Sequence, residues 1–342
     1  MLSIKDKINL LVKLGTYFDE MDEALENAIE NAHRNNAWFT PAFMTYAINT
    51  IKENYLQKEK IEEWLKAYPL VFEQKTNPKT VGLVMAGNIP LVGFHDFLCV
   101  FLSGQKQLIK LSSKDTVFWQ HILEKLSSWN PEFQDYVQVS VMLKNCDAYI
   151  ATGSNNSARY FDYYFKKYAH IIRRNRSSVA VLDGTETDED LEKLADDINI
   201  YFGLGCRNVT QIFVPKDYNF EKLIQAMNKY KDHIDHNKFK NNFDYQLALY
   251  LLNRTYYMTN GHILFIESDS IYAPISVVHY QYYEGDKALC IEDLLNNDSV
   301  QCINVKPSEN INPQTLVFGQ NQIPSLSDYA DGVDTMTFLL EL

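Results

Sequence analysis

The spacing of apolar positions changes character near residue 80. Before it, hydrophobic residues recur every three to four positions, the period of a helix with one buried face. Thr40-Pro41 supplies a capping hydroxyl and a proline at the first helical position, and the helix it opens carries Phe43, Ala47, Ile48 and Ile51 at helical spacing. A second helix runs through Ile61, Trp64 and Leu65, and the polar stretch 73–79 reads as a turn. Beyond it, short apolar runs alternate with helical stretches. Segments 81–86, 107–111, 137–143 and 147–151 are predicted strands, with helices over 90–103, 116–128 and after Ser154. A second series begins near Ser178: strand 179–182, helix 187–202 capped by Thr187 with Asp190 three residues on, strand 209–214 and helix 220–230. Strands 263–266, 275–280 and 300–305 follow among tyrosine-rich loops. Strands separated by helices of this length predict βαβ units and a parallel sheet, an α/β protein. The Gly-x-Gly-x-x-Gly turn of the usual dinucleotide site is absent.

Composition narrows the function classes. The chain has 342 residues, 46% of them hydrophobic, enough for two ordinary domains or one large α/β unit. A formal net charge of −12 argues against a nucleic-acid binder, because phosphate backbones attract basic faces. An anionic ligand would need a local basic pocket. The N-terminus lacks the apolar region of a signal peptide, and no apolar run reaches the roughly 20 residues of a membrane span. Five scattered cysteines without a Cys-x-x-Cys pair read as reduced thiols, and the compartment expected is the cytoplasm.

Against that background a few positions carry chemistry. Cys99, Cys146, Cys290 and Cys302 sit in or beside apolar stretches, as small buried residues do. Cys206 differs: it follows Gly203-Leu-Gly205 at a helix end, precedes Arg207 and leads into a strand. Glycines permit close backbone approach, and adjacent positive charge favours the nucleophilic thiolate. Asn88, between Gly87 and Ile89-Pro90 at a strand-to-helix junction, is either a cap or an amide donor to a developing oxyanion. Thr152-Gly153-Ser154 marks another such junction, where glycine serves the turn or lets backbone approach a phosphate. Lys110 ends a predicted strand and is a solvated charge or a cofactor contact. Arg173, Arg174 and Arg176 form either a solvated basic edge or a docking surface for an anion. Asp232-His233-Ile-Asp235-His236 resembles a metal site but lies among Lys229, Lys231, Lys238 and Lys240, so it reads as a charged helix end with no metal.

Jointly these positions resemble the aldehyde dehydrogenase superfamily, and within it the acyl-CoA reductase family of the bacterial luciferase operons. The motifs that carry the resemblance are Gly87-Asn88-Ile89-Pro90, Ala151-Thr152-Gly153-Ser154, Gly203-Leu-Gly-Cys206-Arg207-Asn208 and the C-terminal Pro324-Ser-Leu-Ser-Asp-Tyr-Ala-Asp-Gly-Val-Asp-Thr335. The resemblance implies an aldehyde-dehydrogenase-like fold: two Rossmann-type α/β domains with parallel sheets and an N-terminal helical segment. Residues 1–177 would hold the helices and the cofactor-binding domain, 178–320 the catalytic domain, and 321–342 a segment packing back on the domains. It makes Cys206 the acyl-accepting nucleophile, with the Asn88 amide and the Cys206 N–H as oxyanion hole. Gly153 and Ser154 would line the cofactor diphosphate and nicotinamide, and Lys110 the adenosine ribose. Arg207, Arg173 and Arg176 would contact substrate.

Departures from the superfamily pattern set the direction of the chemistry. Aldehyde-oxidising relatives carry a Glu upstream of the Cys that activates water. Here no carboxylate occurs from Tyr163 through Leu182. Hydrolysis of the thioester would lack its base, whereas hydride attack needs none. A second Glu, which holds the nicotinamide ribose, is replaced by Ser270 in Ser270-Ile-Tyr-Ala-Pro274. Where relatives that exclude a 2′-phosphate place a Glu after the Lys, Ser112, Ser113 and Lys114 offer hydroxyls and a cation, so NADPH is expected ahead of NADH. The expected reaction is reduction of acyl-CoA, or of an acylated carrier protein, to aldehyde. The alternatives are an aldehyde dehydrogenase forming the acid and an acyl-carrying subunit with little turnover. A homo-oligomer stays open, since the superfamily's oligomerisation hairpin has no evident counterpart at 66–80.

Overall fold

The computed structural model describes residues 2–73, 77–307, 312 and 314–342, so positions 74–76 of the predicted polar turn lie outside the described residues. The chain divides into two compact units, Met1–Asn175 with Pro324–Leu342, and Arg176–Ile323.

The first unit opens with four helices, Ile4–Glu20, Glu23–Asn35, Pro41–Tyr55 and Lys58–Leu65. The starts of the first three are chemically marked. Ser3 and Asp6 form a reciprocal capping box, Asp22 accepts from the Leu25 N–H, and Thr40 caps ahead of Pro41. Behind them lies a five-stranded sheet of β1 (Thr80–Val84), β2 (Lys106–Lys110), β3 (Val137–Val139), β4 (Ala148–Thr152) and β5 (Ala169–Arg173). All its pairings are parallel and the order is β3-β2-β1-β4-β5. The helix Phe94–Leu102 is buried on every side, which its nearly unbroken apolar sequence requires. Phe97 and Phe101 meet Trp119 and Phe133 edge-on, and each ring so buried is worth about 1.5–3 kcal/mol. The C-terminal segment belongs to this unit. Trp64 Nε1 donates to the Tyr329 hydroxyl (3.1 Å), and Gln105 Nε2 donates to the Leu339 carbonyl (2.9 Å).

The second unit holds β6 (Ser177–Val181), β7 (Val209–Val214), β8 (Met258–Thr259), β9 (Leu264–Glu267), β10 (Val277–Tyr282), β11 (Val300–Val305) and β12 (Leu316–Val317). Their order is β12-β11-β6-β7-β10-β9-β8, parallel except for β8 against β9. Side chains alternate across the pleat. Val179 and Val181 join Leu294, Ile303 and Val305 on one face, while Ala180 and Leu182 join Leu194, Ile212 and Phe265 on the other. Both faces are covered, so β6 is buried along its whole length and β7 buries Val209, Ile212 and Val214. Two sheets of mostly parallel strands with helices between them are the α/β architecture expected from the alternation of apolar runs and helices.

Several boundaries differ from the predictions, for identifiable reasons. The helix predicted over 90–103 starts at Phe94, because Leu91 turns left-handed at φ 54°. The helix predicted over 187–202 ends at Asn199, because Tyr201 and Phe202 adopt φ near 57°. Strand β5 and the helices Asn237–Leu252 and Lys287–Leu295 were not predicted. Among the described residues no helix is long and apolar enough to cross a membrane.

Candidate active site

In the first unit, register brings the candidate binding residues to one edge. Val84 is level with Lys110 on one side and with Ala151 on the other. Lys110, the loop carrying Asn88, and Gly153-Ser154 therefore all leave the sheet at its carboxyl edge. Between β1 and β4 the strand order reverses, and that point on a parallel sheet is where ligands bind.

The Asn88 loop is held from below. The Leu91 N–H donates to Asp115 Oδ2 at 2.8 Å, and Met85 N–H donates to the Lys110 carbonyl at 3.1 Å. A Cβ on Gly87 would sit 2.7 Å from Ser112 Cβ, so glycine is required there for packing. Asp115 is 3% exposed, and burial pushes its carboxyl up to about 8. Asn88 itself is exposed, as are Lys110 and Ser113.

Ser154 is the N-cap of the helix Asn155–Phe165, its Oγ accepting from the Ser157 N–H. Its hydroxyl is thus engaged by the helix, and what this end offers an anion is the remaining first-turn N–H groups. Gly153 lets that helix approach the strand, since a Cβ would lie 2.9 Å from Ser157 Cβ and 3.0 Å from Phe161. The residues of this edge fit the anionic half of a dinucleotide: a helix start aimed at the switch point, the exposed Lys110 cation, and hydroxyls at 112 and 113. The one carboxyl nearby in sequence, Asp115, is turned inward to Leu91.

Arg173 corrects the predicted docking surface. It is 5% exposed, ion-paired to Asp96, and its Nη2 donates to Thr335 Oγ1 at 2.9 Å. A guanidinium committed this way serves the core of the unit, and substrate contact does not fit it. Arg174 is exposed and paired with Asp162.

In the second unit, Cys206 lies at the amino edge, just before β7. It is half-buried, as is Cys290, which the sequence reading places among the buried thiols, while Cys99, Cys146 and Cys302 are buried. Burial also pushes the Cys99, Cys146 and Cys290 thiols up, Cys290 to about 11. Cys206 and Arg207 are the central residues of a turn closed twice: the Asn208 N–H donates to the Gly205 carbonyl (3.1 Å), and the Gly205 N–H donates to Asn208 Oδ1 (2.8 Å). Ser178 Oγ donates to the Cys206 carbonyl at 3.1 Å. Asn321 Nδ2 donates to the Arg207 carbonyl at 2.7 Å, and Arg207 Nη1 returns a bond to the Asn321 carbonyl at 3.4 Å. Arg176, just before β6 on the same edge, donates to the Val300 carbonyl at 3.4 Å.

The chain reaches this turn through three successive left-handed residues, Tyr201, Phe202 and Gly203. For the two with side chains that conformation costs on the order of 1–3 kcal/mol each. Their burial offsets it. The Phe202 ring packs against His233 at 4.5 Å and His236 at 4.7 Å between centroids. Burial lowers His233 to about 3, so in the segment that resembled a metal site the His233 ring enters this packing neutral.

Beneath the turn is a polar cluster that sequence reasoning missed. Asp197, Asn208, Asn304 and Asn321 are each at most 1% exposed. Asn208 Nδ2 donates to the carbonyls of Asp197 (3.0 Å) and Ile200 (2.9 Å). Asn304 and Asn321 exchange side-chain bonds of 2.7 and 2.8 Å. Asp197 accepts from the N–H groups of Gly319 (2.6 Å) and Asn321 (3.1 Å) and from Asn304 Nδ2 (3.3 Å). Burial raises its carboxyl to about 7 despite those donors. The only local signal was Asn208 directly after Cys206-Arg207. Ser270 is half-buried, its Oγ donating to the Tyr272 carbonyl at 3.0 Å.

The model of the family described as acyl-CoA reductase (LuxC) matches residues 21–272. A curated protein from Photobacterium leiognathi, long-chain acyl-protein thioester reductase 2, is 25% identical over 74% of this chain and 59% of its own length. The chain therefore spans less than two thirds of that relative. Among solved structures, an aldehyde dehydrogenase from Bacillus cereus is similar with a TM-score of 0.67 at 13% identity, covering 91% of this chain and 73% of that one. An indole-3-acetaldehyde dehydrogenase from P. syringae, solved with NAD+, has a TM-score of 0.64 at 10% identity over 91% and 73% of the two chains. An NADP-dependent enzyme from E. coli has a TM-score of 0.65 at 11% identity over 90% and 74%.

Proposed function

The chain belongs to the acyl-CoA reductase (LuxC) family, and from that premise we propose that it reduces fatty acyl thioesters to aldehydes through an acyl group held on Cys206. The observation that carries the reading is the Cys206 turn: the half-buried thiol stands on a doubly closed turn, while Cys99, Cys146 and Cys302 are buried. Its direction follows from the segment 163–182, which holds no carboxylate to activate water.

The thiolate attacks the acyl carbonyl carbon, forming a C–S bond and an oxyanion. The Asn88 amide and the Cys206 N–H are the donors assigned to that oxyanion. It collapses, the donor thiolate leaves, and the acyl group remains as a Cys206 thioester. A reduced nicotinamide supplies the hydride, and the first-turn N–H groups after Ser154, Gly153, Lys110, Ser112 and Ser113 would hold it. The resulting thiohemiacetal oxyanion expels the Cys206 thiolate and releases aldehyde, so no water and no general base are consumed. NADPH is assigned over NADH because positions 112–114 present hydroxyls and a cation and Asp115 is turned inward. Arg207 and Arg176, at the amino edge of the second sheet, are assigned to the anionic part of the acyl donor. The donor is acyl-CoA or an acylated protein; the relative named for acyl-protein thioesters supports the latter.

The test mixes protein, a chain-length panel of acyl-CoAs and NADPH, and follows absorbance at 340 nm (a standard wavelength for the reduced nicotinamide). Oxidation that disappears in Cys206→Ala is expected; none with any donor, or undiminished oxidation in the variant, rejects the reading. A second reading, an acyl-carrying subunit with little turnover, is favoured by Ser270, a serine bonded to its own loop where dehydrogenases hold the nicotinamide ribose with Glu. Stable Cys206 acylation without nicotinamide turnover would select it.

A further inference from the structure

We propose that Asn208, backed by the Asp197–Asn304–Asn321 cluster, is the positioning residue that fixes where the Cys206 thiol and its backbone N–H point. The inference rests on the reading that Cys206 accepts acyl groups, and it adds how the chain holds that residue in place.

Four consecutive carbonyls around the nucleophile have assigned donors. Gly205 is bonded by the Asn208 N–H, Cys206 by Ser178 Oγ, Arg207 by Asn321 Nδ2, and Asn208 by the Ser178 N–H at 3.2 Å. In a planar trans peptide the N–H is antiparallel to the C=O. Tying the Gly205 carbonyl into the turn therefore directs the Cys206 N–H out of it. The bond from Gly205 N–H to Asn208 Oδ1 fixes the preceding peptide as well. Asn208 also donates to the carbonyls of Asp197, Ile198 and Ile200, the end of the helix from which the left-handed segment departs.

One carboxamide thus ties the approach to the turn and the turn itself. Asp197 then holds Asn321 and Asn304 in register, and Asn321 reaches back to Arg207. Partly satisfied buried polar clusters are costly, and apolar side chains would fill the same space at less cost. What such a cluster adds is one defined geometry, and here that geometry belongs to the residues flanking the nucleophile.

The test compares parent, Asn208→Ala, Asn321→Ala and Cys206→Ala as full chains, each checked for folding by circular dichroism. The small activated ester p-nitrophenyl acetate reports acyl transfer to Cys206, and iodoacetamide with peptide mass spectrometry reports access to Cys206 relative to Cys290. Positioning predicts that acyl transfer in folded Asn208→Ala falls about tenfold or more, while the Cys206:Cys290 alkylation ratio changes by less than about threefold. Acyl transfer at the parent rate, or acyl transfer and alkylation falling together, overturns it. If Asn208→Ala does not fold, Asn321→Ala decides: a drop in acyl transfer of about threefold or more at unchanged alkylation supports the inference, and no drop rejects it. A parent that takes the ester on Cys206 but reduces no acyl-CoA refutes the proposed function and leaves the positioning role standing. A parent whose Cys206 takes no ester refutes the positioning role.

Discussion

The two units are built from the same parallel α/β scheme, yet they expose chemistry at opposite ends of their strands. In the first, Lys110, Asn88 and Gly153-Ser154 lie where strands end and helices begin, at the point where strand order reverses. In the second, Cys206 lies where the chain enters β7. The first edge offers backbone N–H groups, a cation and glycine-made space, which suit binding. The second offers a side chain on a turn tied by five side-chain and backbone donors, which suits reaction. Each also keeps one buried acid under its loop, Asp115 in the first and Asp197 in the second. A common scaffold therefore supports binding and reaction by which edge is left open and how firmly the loop there is tied.

The widest separation between the two edges is expected from Cys206→Ala. It should abolish aldehyde formation, by about 10³-fold or more at 340 nm, with nicotinamide binding by fluorescence unchanged. Loss of binding in that variant would break the division of labour. Asn88→Ala should lower kcat by about 10²-fold with little change in the nicotinamide KM, since its amide is assigned to the oxyanion although it stands on the binding edge. Lys110→Ala should do the reverse, raising the nicotinamide KM about tenfold at constant kcat. A kcat effect equal to that of Asn88→Ala would show that the two residues are not separable.

The smallest effect concerns the buried acids. Asp197 ordinarily titrates at 3.8 and is raised to about 7, and Asp115 is raised to about 8. Between the ordinary and raised values the folded chain holds a proton that the unfolded chain has lost. The contribution of these two acids to stability is fully present below about pH 4 and is lost progressively as pH rises from there to 7 and 8. Replacing either acid by Asn should flatten that slope, read as urea midpoints between pH 5 and 8 that differ from the parent by a few tenths of a molar. A slope unchanged in both variants would remove the parallel between the loops.

Local chemistry was legible in the sequence and long-range chemistry was not. The caps at Thr40 and Thr187 with Asp190, and the strands Val209–Val214 and Val300–Val305, depend on neighbours within a few residues or on simple periodicity. Cys206 stood out because glycines and Arg207 flank it. The helix end at Asn199 was hidden, since Tyr201 and Phe202 take a conformation that sequence assigns to Gly or Asn. The helix Asn237–Leu252 was hidden because Phe239 and Phe243 are its buried residues, too few to set a clear period. Arg173 looked solvated because Asp96 and Thr335 are 77 and 162 positions away. The Asp197–Asn321 link spans 124 positions, and no local pattern announces a pair at that distance.

The return of Pro324–Leu342 to the first unit has a consequence for synthesis. The chain leaves that unit at Asn175 and comes back only after the whole of Arg176–Ile323 has been made. At about 5–20 residues per second, the ribosome holds the first unit unfinished for several seconds or more. During that interval the Asp96–Arg173 pair waits without Thr335, and Trp64 and Tyr68 wait without the Tyr329 hydroxyl. The second unit, contiguous in the chain, has every residue it needs as soon as Ile323 emerges. The later segment in translation is thus the earlier one free to finish folding, and Pro324–Leu342 acts as the closing piece of the unit that started first.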